Sequence, residues 1–277
     1  MVNFKRILFP VEFSPHSQMA ARHVASYARR FDAEVILLHV EVLAVEPYVW
    51  EPQTERLTQM LDQFSVDEFA GLTVRRLVRP GDAARDIVRY ASDENVDLIM
   101  MPTHGRGPFR RFVLGSVTTK VLHDAPCPVW TSAHLDEDRA PASLDLSSIV
   151  CAVDLDDSGI HTLRYAGNFA RRTGSKLTVV HAVPAVETLP EAYLDTDLRA
   201  VLIESARGRL KEMQELAGSE GAVCIGAGNI ARFVSRAAQS HQADLVIISR
   251  GGSGLLGRLR THDYGIIREC ECPVLSL

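Results

Sequence analysis

Short runs of aliphatic and β-branched residues alternate along the whole chain with longer stretches whose apolar positions recur every three or four residues. The first pattern predicts strands and the second amphipathic helices. Over the first half, strands are expected at about 5–11, 34–40, 72–78, 97–102 and 127–131, with helices at about 15–31, 53–69, 82–94 and 116–124. Ser14-Pro15 suits the start of the first helix, the hydroxyl capping free N–H groups and the proline fitting the first turn. The second half repeats the order, with strands near 148–153, 176–182, 222–226, 244–249 and 273–277. Strands this uniformly apolar, separated by helices, predict parallel sheets covered on both faces.

The residues themselves repeat. Arg6-Ile7-Leu8-Phe9-Pro10-Val11-Glu12-Phe13 aligns with Ser148-Ile149-Val150-Cys151-Ala152-Val153-Asp154-Leu155 at an offset of 142. The same offset pairs Ala28-Arg29-Arg30 with Ala170-Arg171-Arg172, and Leu37-Leu38-His39-Val40 with Val179-Val180-His181-Ala182. Asp97-Leu98-Ile99 matches Asp244-Leu245-Val246 at 147, and Cys127-Pro128-Val129 matches Cys272-Pro273-Val274 at 145. The chain therefore reads as a tandem duplication. We expect one domain over 1–134 and another over 147–277, joined by a polar, proline-containing linker over 135–146. Each copy is expected to form an α/β, five-stranded doubly wound sheet. Ligands of such folds sit beyond the carboxyl ends of the strands, where the winding reverses, which directs attention to the loops after strands one and four.

Composition narrows the partners. The chain has 277 residues, 46% of them apolar and 23% charged, and a net charge of −5. This excludes a disordered chain and disfavours one built to coat nucleic acid. No apolar run approaches a membrane span, and the first residues lack a secretory leader, so a cytoplasmic protein with no membrane or nucleic-acid partner is expected. Cys127, Cys151, Cys224, Cys270 and Cys272 are odd in number, and the first three sit in or beside apolar runs, as reduced packing residues do. Cys270-Glu271-Cys272 is too tight and too isolated for a zinc site.

After strand four of the first copy comes Thr103-His104-Gly105-Arg106-Gly107, followed by Leu114-Gly115-Ser116-Val117. Glycines let a backbone approach an anion, and Gly-Ser at a helix start offers free amides, a hydroxyl and the positive end of the helix dipole. From 104 to 120 there are three arginines and Lys120 but no carboxylate. The segment reads either as a polyphosphate cradle or as a solvated loop with an ordinary helix cap. In the second copy, Gly252-x-Gly254-x-x-Gly257 has the glycines of a dinucleotide fingerprint but follows a late strand. As a P-loop it lacks both the lysine and the Ser/Thr.

These residues resemble the universal stress protein family, whose nucleotide-binding members carry G-x2-G-x9-G-[ST] between strand four and the next helix. The resemblance covers both halves, including Pro10-Val11-Glu12-Phe13-Ser14, Val35-Ile36-Leu37-Leu38-His39-Val40 and Asp97-Leu98-Ile99-Met100. Gly105-x9-Gly115-Ser116 keeps the spacing, while Pro102 replaces the first glycine. The resemblance implies two flavodoxin-like, adenine-nucleotide alpha-hydrolase-like domains with strand order 3-2-1-4-5. It also implies an adenine nucleotide partner: ATP, alone or with Mg2+, bound chiefly in the first domain. Gly105, Gly115, Ser116 and Val117, flanked by His104 and Arg106, would hold phosphates and ribose. Pro10, Glu12 and Val40 would frame the adenine.

Glu12 stands where the family usually has aspartate, so it reads either as the base acceptor or as a solvated carboxylate. In the second copy Asp154 keeps that aspartate and Gly252 the second glycine. At the family spacing, however, His262-Asp263 replaces Gly-Ser, and a carboxylate at a helix start repels phosphate. His39 and His181 read as a repeated structural pair, hydrogen-bonded at strand ends. Tyr48 and Trp50, in the connector after strand two, could cover a base, meet a partner or pack on the neighbouring domain.

No nucleophile and base constellation is visible, so the expected role is regulatory: a stress-response nucleotide binder, at most a slow ATPase. The alternative is a nucleotide-independent dimerisation module with vestigial sites. The last strands, 127–131 and 273–277, are apolar sheet edges, expected to pair the two domains as a pseudo-dimer and to leave a homodimer open.

Overall fold

The computed structural model describes residues 3–42, 53–103, 114–133, 146–183, 196–250 and 261–277. They fall into two compact units, residues 3–133 and 146–277. The linker expected over 135–146 lies outside the described residues except for Leu146, as do Tyr48 and Trp50.

The first unit runs β1 (Arg6–Pro10), α1 (Pro15–Phe31), β2 (Glu34–Val42), α2 (Thr54–Gln63), β3 (Val74–Gly81), α3 (Ala83–Asp93), β4 (Leu98–Pro102), α4 (Ser116–Asp124) and β5 (Val129–Ser132). In the second follow β6 (Ser148–Ala152), α5 (Asp157–Thr173), β7 (Lys176–Val183), α6 (Thr196–Ala217) and β8 (Ala222–Ala227). The unit continues with α7 (Ile230–Ser240), β9 (Leu245–Ile248), α8 (Thr261–Glu269) and β10 (Val274–Ser276). β1 pairs in parallel with β2 on one side and β4 on the other, β2 with β3, and β4 with β5. In the second unit β6 lies between β7 and β9, β8 pairs with β7 and β10 with β9, all parallel. The chain winds from β1 outward through β2 and β3, then returns to the other side of β1 with β4. The reversal leaves a crevice at the carboxyl ends of β1 and β4.

Burial explains the uniform strands. Ile7, Leu8 and Phe9 in β1 and Val35, Ile36 and Leu37 in β2 are wholly buried, because helices cover both faces of a parallel sheet. The repeated Asp-Leu-Ile/Val has a structural cause as well. Asp97 Oδ2 accepts from the amides of Lys5 (2.7 Å) and Arg6 (2.8 Å), and Asp244 Oδ2 from those of Ser147 (2.7 Å) and Ser148 (2.9 Å). Each aspartate ties the entry of its unit's central strand to the entry of β4 or β9, with charge-assisted bonds.

The helix ends follow local chemistry. Ser14 Oγ accepts from Ser17 N at 3.2 Å, with Pro15 in the first turn of α1, and Asp156 caps α5 through Gly159 N at 3.1 Å. α1 closes on Asp32 and α5 on Gly174, both left-handed.

One expected helix is shorter than its pattern. Instead of running over 53–69, α2 stops at Gln63, where Phe64 turns extended and Ser65 left-handed. Phe64 is thereby buried, its ring 6.2 Å from Phe9 and 6.1 Å from Phe13. β3 runs past its expected end, since Pro80 and Gly81 keep register with Glu41 and Val42. The five cysteines are free thiols, and burial pushes those of Cys151 and Cys270 well above their ordinary range. Among the described residues no helix is long and apolar enough to cross a membrane.

The first unit also holds a half-buried titratable group beside its core. His23 on α1 packs 5.3 Å from Trp130, ring to ring, and burial lowers its pKa from 6.5 to about 4. The unfolded chain therefore takes up this proton first as the pH falls. Stability is unaffected above pH 6.5 and lost between pH 6.5 and 4, by roughly 3 kcal/mol at most. Urea unfolding at pH 7 and pH 4 should show wild type losing more stability than His23→Gln over that interval; equal losses contradict the assignment.

Candidate functional site

The segment after β1 is held in an unusual turn. Val11 donates its amide to Leu38 O at 2.9 Å, and Nδ1 of His39 donates to Val11 O at 2.7 Å. Phe13 adopts a left-handed φ of 56°, a strained state for a bulky side chain. It is held there by packing, its ring lying 4.7 Å from that of His39 and 6.1 Å from that of Phe64. Glu12 sits between these two fixed points, and its Oε1 accepts from Ser14 Oγ at 2.9 Å. His181 repeats the His39 bond in the second unit, with Nδ1 donating to Val153 O at 2.8 Å. The histidine pair is therefore structural in both copies.

At the carboxyl ends of β1, β2 and β4 the first unit opens a cavity of about 710 Å³, within the range of small-molecule sites. The structure brings Pro10, Glu12, Val40, Gly115, Ser116 and Val117 together in its wall. His104, Gly105, Arg106 and Gly252 lie outside the described residues.

The start of α4 departs from the expected roles. Gly115 is the residue before the helix, and its amide donates to Thr103 O at 2.9 Å, so it is not available to a phosphate. Its backbone (φ −59°, ψ 144°) is open to any residue. An added Cβ would lie 3.4 Å from the carbonyl oxygen of Thr103, an ordinary contact, so the fold itself does not require a glycine here. The donors that α4 offers the cavity are the first-turn amides of Ser116, Val117 and Thr118, which have no partner within a helix. Thr118 Oγ1 donates to Pro102 O at 3.2 Å, fixing the helix against β4. Lys120, read as part of the basic loop, adds its charge to the Arg85 amide bond in lowering the pKa of Asp82, the cap of α3.

Further wall residues went unrecognised in the sequence. Glu41, next to Val40, accepts from Gln53 N and from Thr54 Oγ1, each at 3.0 Å, and so caps α2 from within the cavity wall. Gln53, the residue before α2, and Arg56, Leu57 and Met60 within it line the cavity at a spacing of three, four and seven residues, the signature of one helix face. Ala83 and Ile87 of α3 complete the wall. The cavity is therefore polarised: carboxylates of Glu12 and Glu41 on the β1–β2 side and amides on the β4 side, with a wall from α2 and α3 that is apolar at Leu57, Met60, Ala83 and Ile87 and carries the cation of Arg56.

The second unit keeps the scaffold and loses the space. Its corresponding cavity is about 50 Å³, enough for a few waters. Ile230, the first residue of α7, occupies the place that Ala83 holds in α3, and both line their cavities. Asp154 lines this small cavity with His262 and the buried Asp263. The helix register also corrects the alignment. α4 ends at Asp124 and α8 at Glu269, each three residues before the Cys-Pro of the last strand, and counting back from these ends sets Asp263 at the place of Thr118. The carboxylate still lies in the first turn, and burial, with the Asp263 charge adding to it, raises the pKa of Tyr264.

Comparison with known proteins identifies the family of the chain. A sequence profile described as the universal stress protein family matches residues 3–132 and 146–277. A universal stress protein of Methanocaldococcus jannaschii is 32% identical over 138 residues, 46% of this chain and 80% of the relative. One from Mycolicibacterium smegmatis is 26% identical over 281 residues, 91% of this chain and 90% of that one. The crystal structure of a universal stress protein from Archaeoglobus fulgidus superposes with a TM-score of 0.71 at 21% identity, covering 100% of this chain and 97% of that one, a likeness of fold. With the profile matched once in each half, the chain belongs to the universal stress protein family as a tandem, two-domain member.

Proposed function

We propose that the first unit binds an adenine nucleotide, ATP alone or with Mg2+, as a regulatory ligand, and that the second unit has given up the site. The polarised cavity of the first unit carries this reading. Phosphates are received by the amides of Ser116, Val117 and Thr118 with the positive end of α4 behind them. Pro10 and Val40 frame the base, and Glu12, an acceptor held by Ser14, meets its exocyclic amine. The second unit, with Ile230 in the cavity wall and Asp263 in the helix start, takes no phosphate tail. ATP in this role is a signal rather than a fuel, and the protein acts in the cytoplasmic stress response.

A second reading, an interaction module independent of nucleotide, is favoured by two observations. Pro102 removes the first glycine of the motif, and the Gly115 amide is spent on Thr103. The readings separate by calorimetry. On the nucleotide reading, ATP titrated into the full chain binds one equivalent with a micromolar dissociation constant; no heat at high ligand supports the interaction module.

Two variants introduce into the first unit the kinds of change found in the second, a carboxylate in the first turn of the helix and a larger residue at the start of α3. Ser116→Asp places a carboxylate before the free amides: ATP affinity should fall tenfold or more, while the empty α4 gains about 0.3–1 kcal/mol from the charge at its positive end. Calorimetry and thermal melting read the two opposite effects, and loss of both stability and affinity would point to mere misfolding. Ala83→Ile fills the cavity and should weaken ATP binding by a similar factor without lowering the melting temperature.

A further inference from the structure

We infer that Glu41 reads the sugar of the bound nucleotide, accepting hydrogen bonds from its vicinal hydroxyls and thereby selecting ribonucleotides. The inference rests on the nucleotide reading of the cavity and assigns a specificity to it. Glu41 lines the cavity immediately after Val40. Its carboxylate is fixed in place before any ligand arrives: Oε1 accepts from Gln53 N and Oε2 from Thr54 Oγ1, each at 3.0 Å. A carboxylate offers about four acceptor positions, so one bond to each oxygen leaves capacity for two more donors.

The class of group that fits follows from this chemistry. Glu41 is anionic and only accepts, so it rewards a neutral group presenting two O–H donors and repels a phosphate in the same place. A cis-diol meets both conditions. With the base between Pro10 and Val40 and the phosphates at the start of α4, the sugar of a nucleotide falls between them, beside Val40 and therefore beside Glu41. A sugar phosphorylated at its 2′ or 3′ position meets like charge there.

The second unit supplies the contrast. His39 and His181 make the same bond at the same place in β2 and β7, so the residue two positions on is Glu41 in one unit and Val183 in the other. Val183 is buried and cannot accept a hydrogen bond through its side chain. The acid is present where the cavity is large and absent where it has closed.

Calorimetry of the full chain with ATP, 2′-deoxyATP and 3′-deoxyATP tests the assignment. Wild type should prefer ATP to either deoxynucleotide by about tenfold or more, the order expected when a charged acceptor loses its donor. Glu41→Gln keeps one oxygen for the α2 cap and should bring the ratio below about threefold, since a neutral acceptor bonds roughly half as strongly. Thr58→Ala removes a hydroxyl bond to Thr54 O on the exposed side of α2, away from Glu41 and the cavity wall, and should leave the ratio at its wild-type value. A wild-type ratio near one, or a ratio that Glu41→Gln leaves unchanged while all affinities fall together, overturns the assignment and leaves Glu41 a helix cap. Absence of binding by all three nucleotides to the wild type would instead overturn the nucleotide reading itself, and this inference with it.

Discussion

A parallel strand covered on both faces can carry polar chemistry only at its ends. β1 is such a strand, with Ile7, Leu8 and Phe9 wholly buried and neighbours hydrogen-bonded on either side. At its entry the backbone is tied by Asp97, which takes two amides from Lys5 and Arg6. At its exit the winding reverses, β2 and β4 lead to opposite sides, and the polar groups of the turn are presented to a crevice rather than to a neighbouring strand. The second unit obeys the same constraint with Asp244. The site's position is therefore a consequence of topology, and its chemistry a matter of which residues stand at the strand exits.

The exit of β1 shows how much local order this requires. A bulky residue at φ 56° persists only where its surroundings over-determine it. Phe13 is enclosed by His39 and Phe64, and the bond from His39 to Val11 fixes the other side of Glu12. The early end of α2 belongs to the same arrangement, because Phe64 leaves the helix to pack against Phe9 and Phe13. A core contact thus shapes the turn that carries the carboxylate.

Duplication allows the two copies to serve as controls for one another. The strand pairings, the entry aspartates and the histidine bonds are retained in both, and all of them hold backbone in place. The differences fall on the cavity walls: Ala83 against Ile230, Glu41 against Val183, and a first helical turn that has gained Asp263. Apolar volume and negative charge both oppose a phosphorylated ligand, and their cost to the fold is small because an empty helix start welcomes an acid.

Periodicity and repetition along the chain determined the strands, most helices, the duplication and the crevice to search, because burial imposes its period on sequence wherever an element packs against a sheet. Pro10, Glu12, Val40 and Val117 were legible as wall residues only through the resemblance to the family; the pattern of the chain by itself pointed to the loops after strands one and four and to the Gly115-Ser116 helix start. Tertiary structure alone decided the rest. That the Gly115 amide is already bonded to Thr103, that α8 is displaced two residues from the motif alignment, and that Glu41 caps α2 from inside the cavity all depend on contacts between segments distant in the chain. Such contacts leave no period in the sequence, since a hydrogen bond made once, between one pair of groups, has no pattern to repeat.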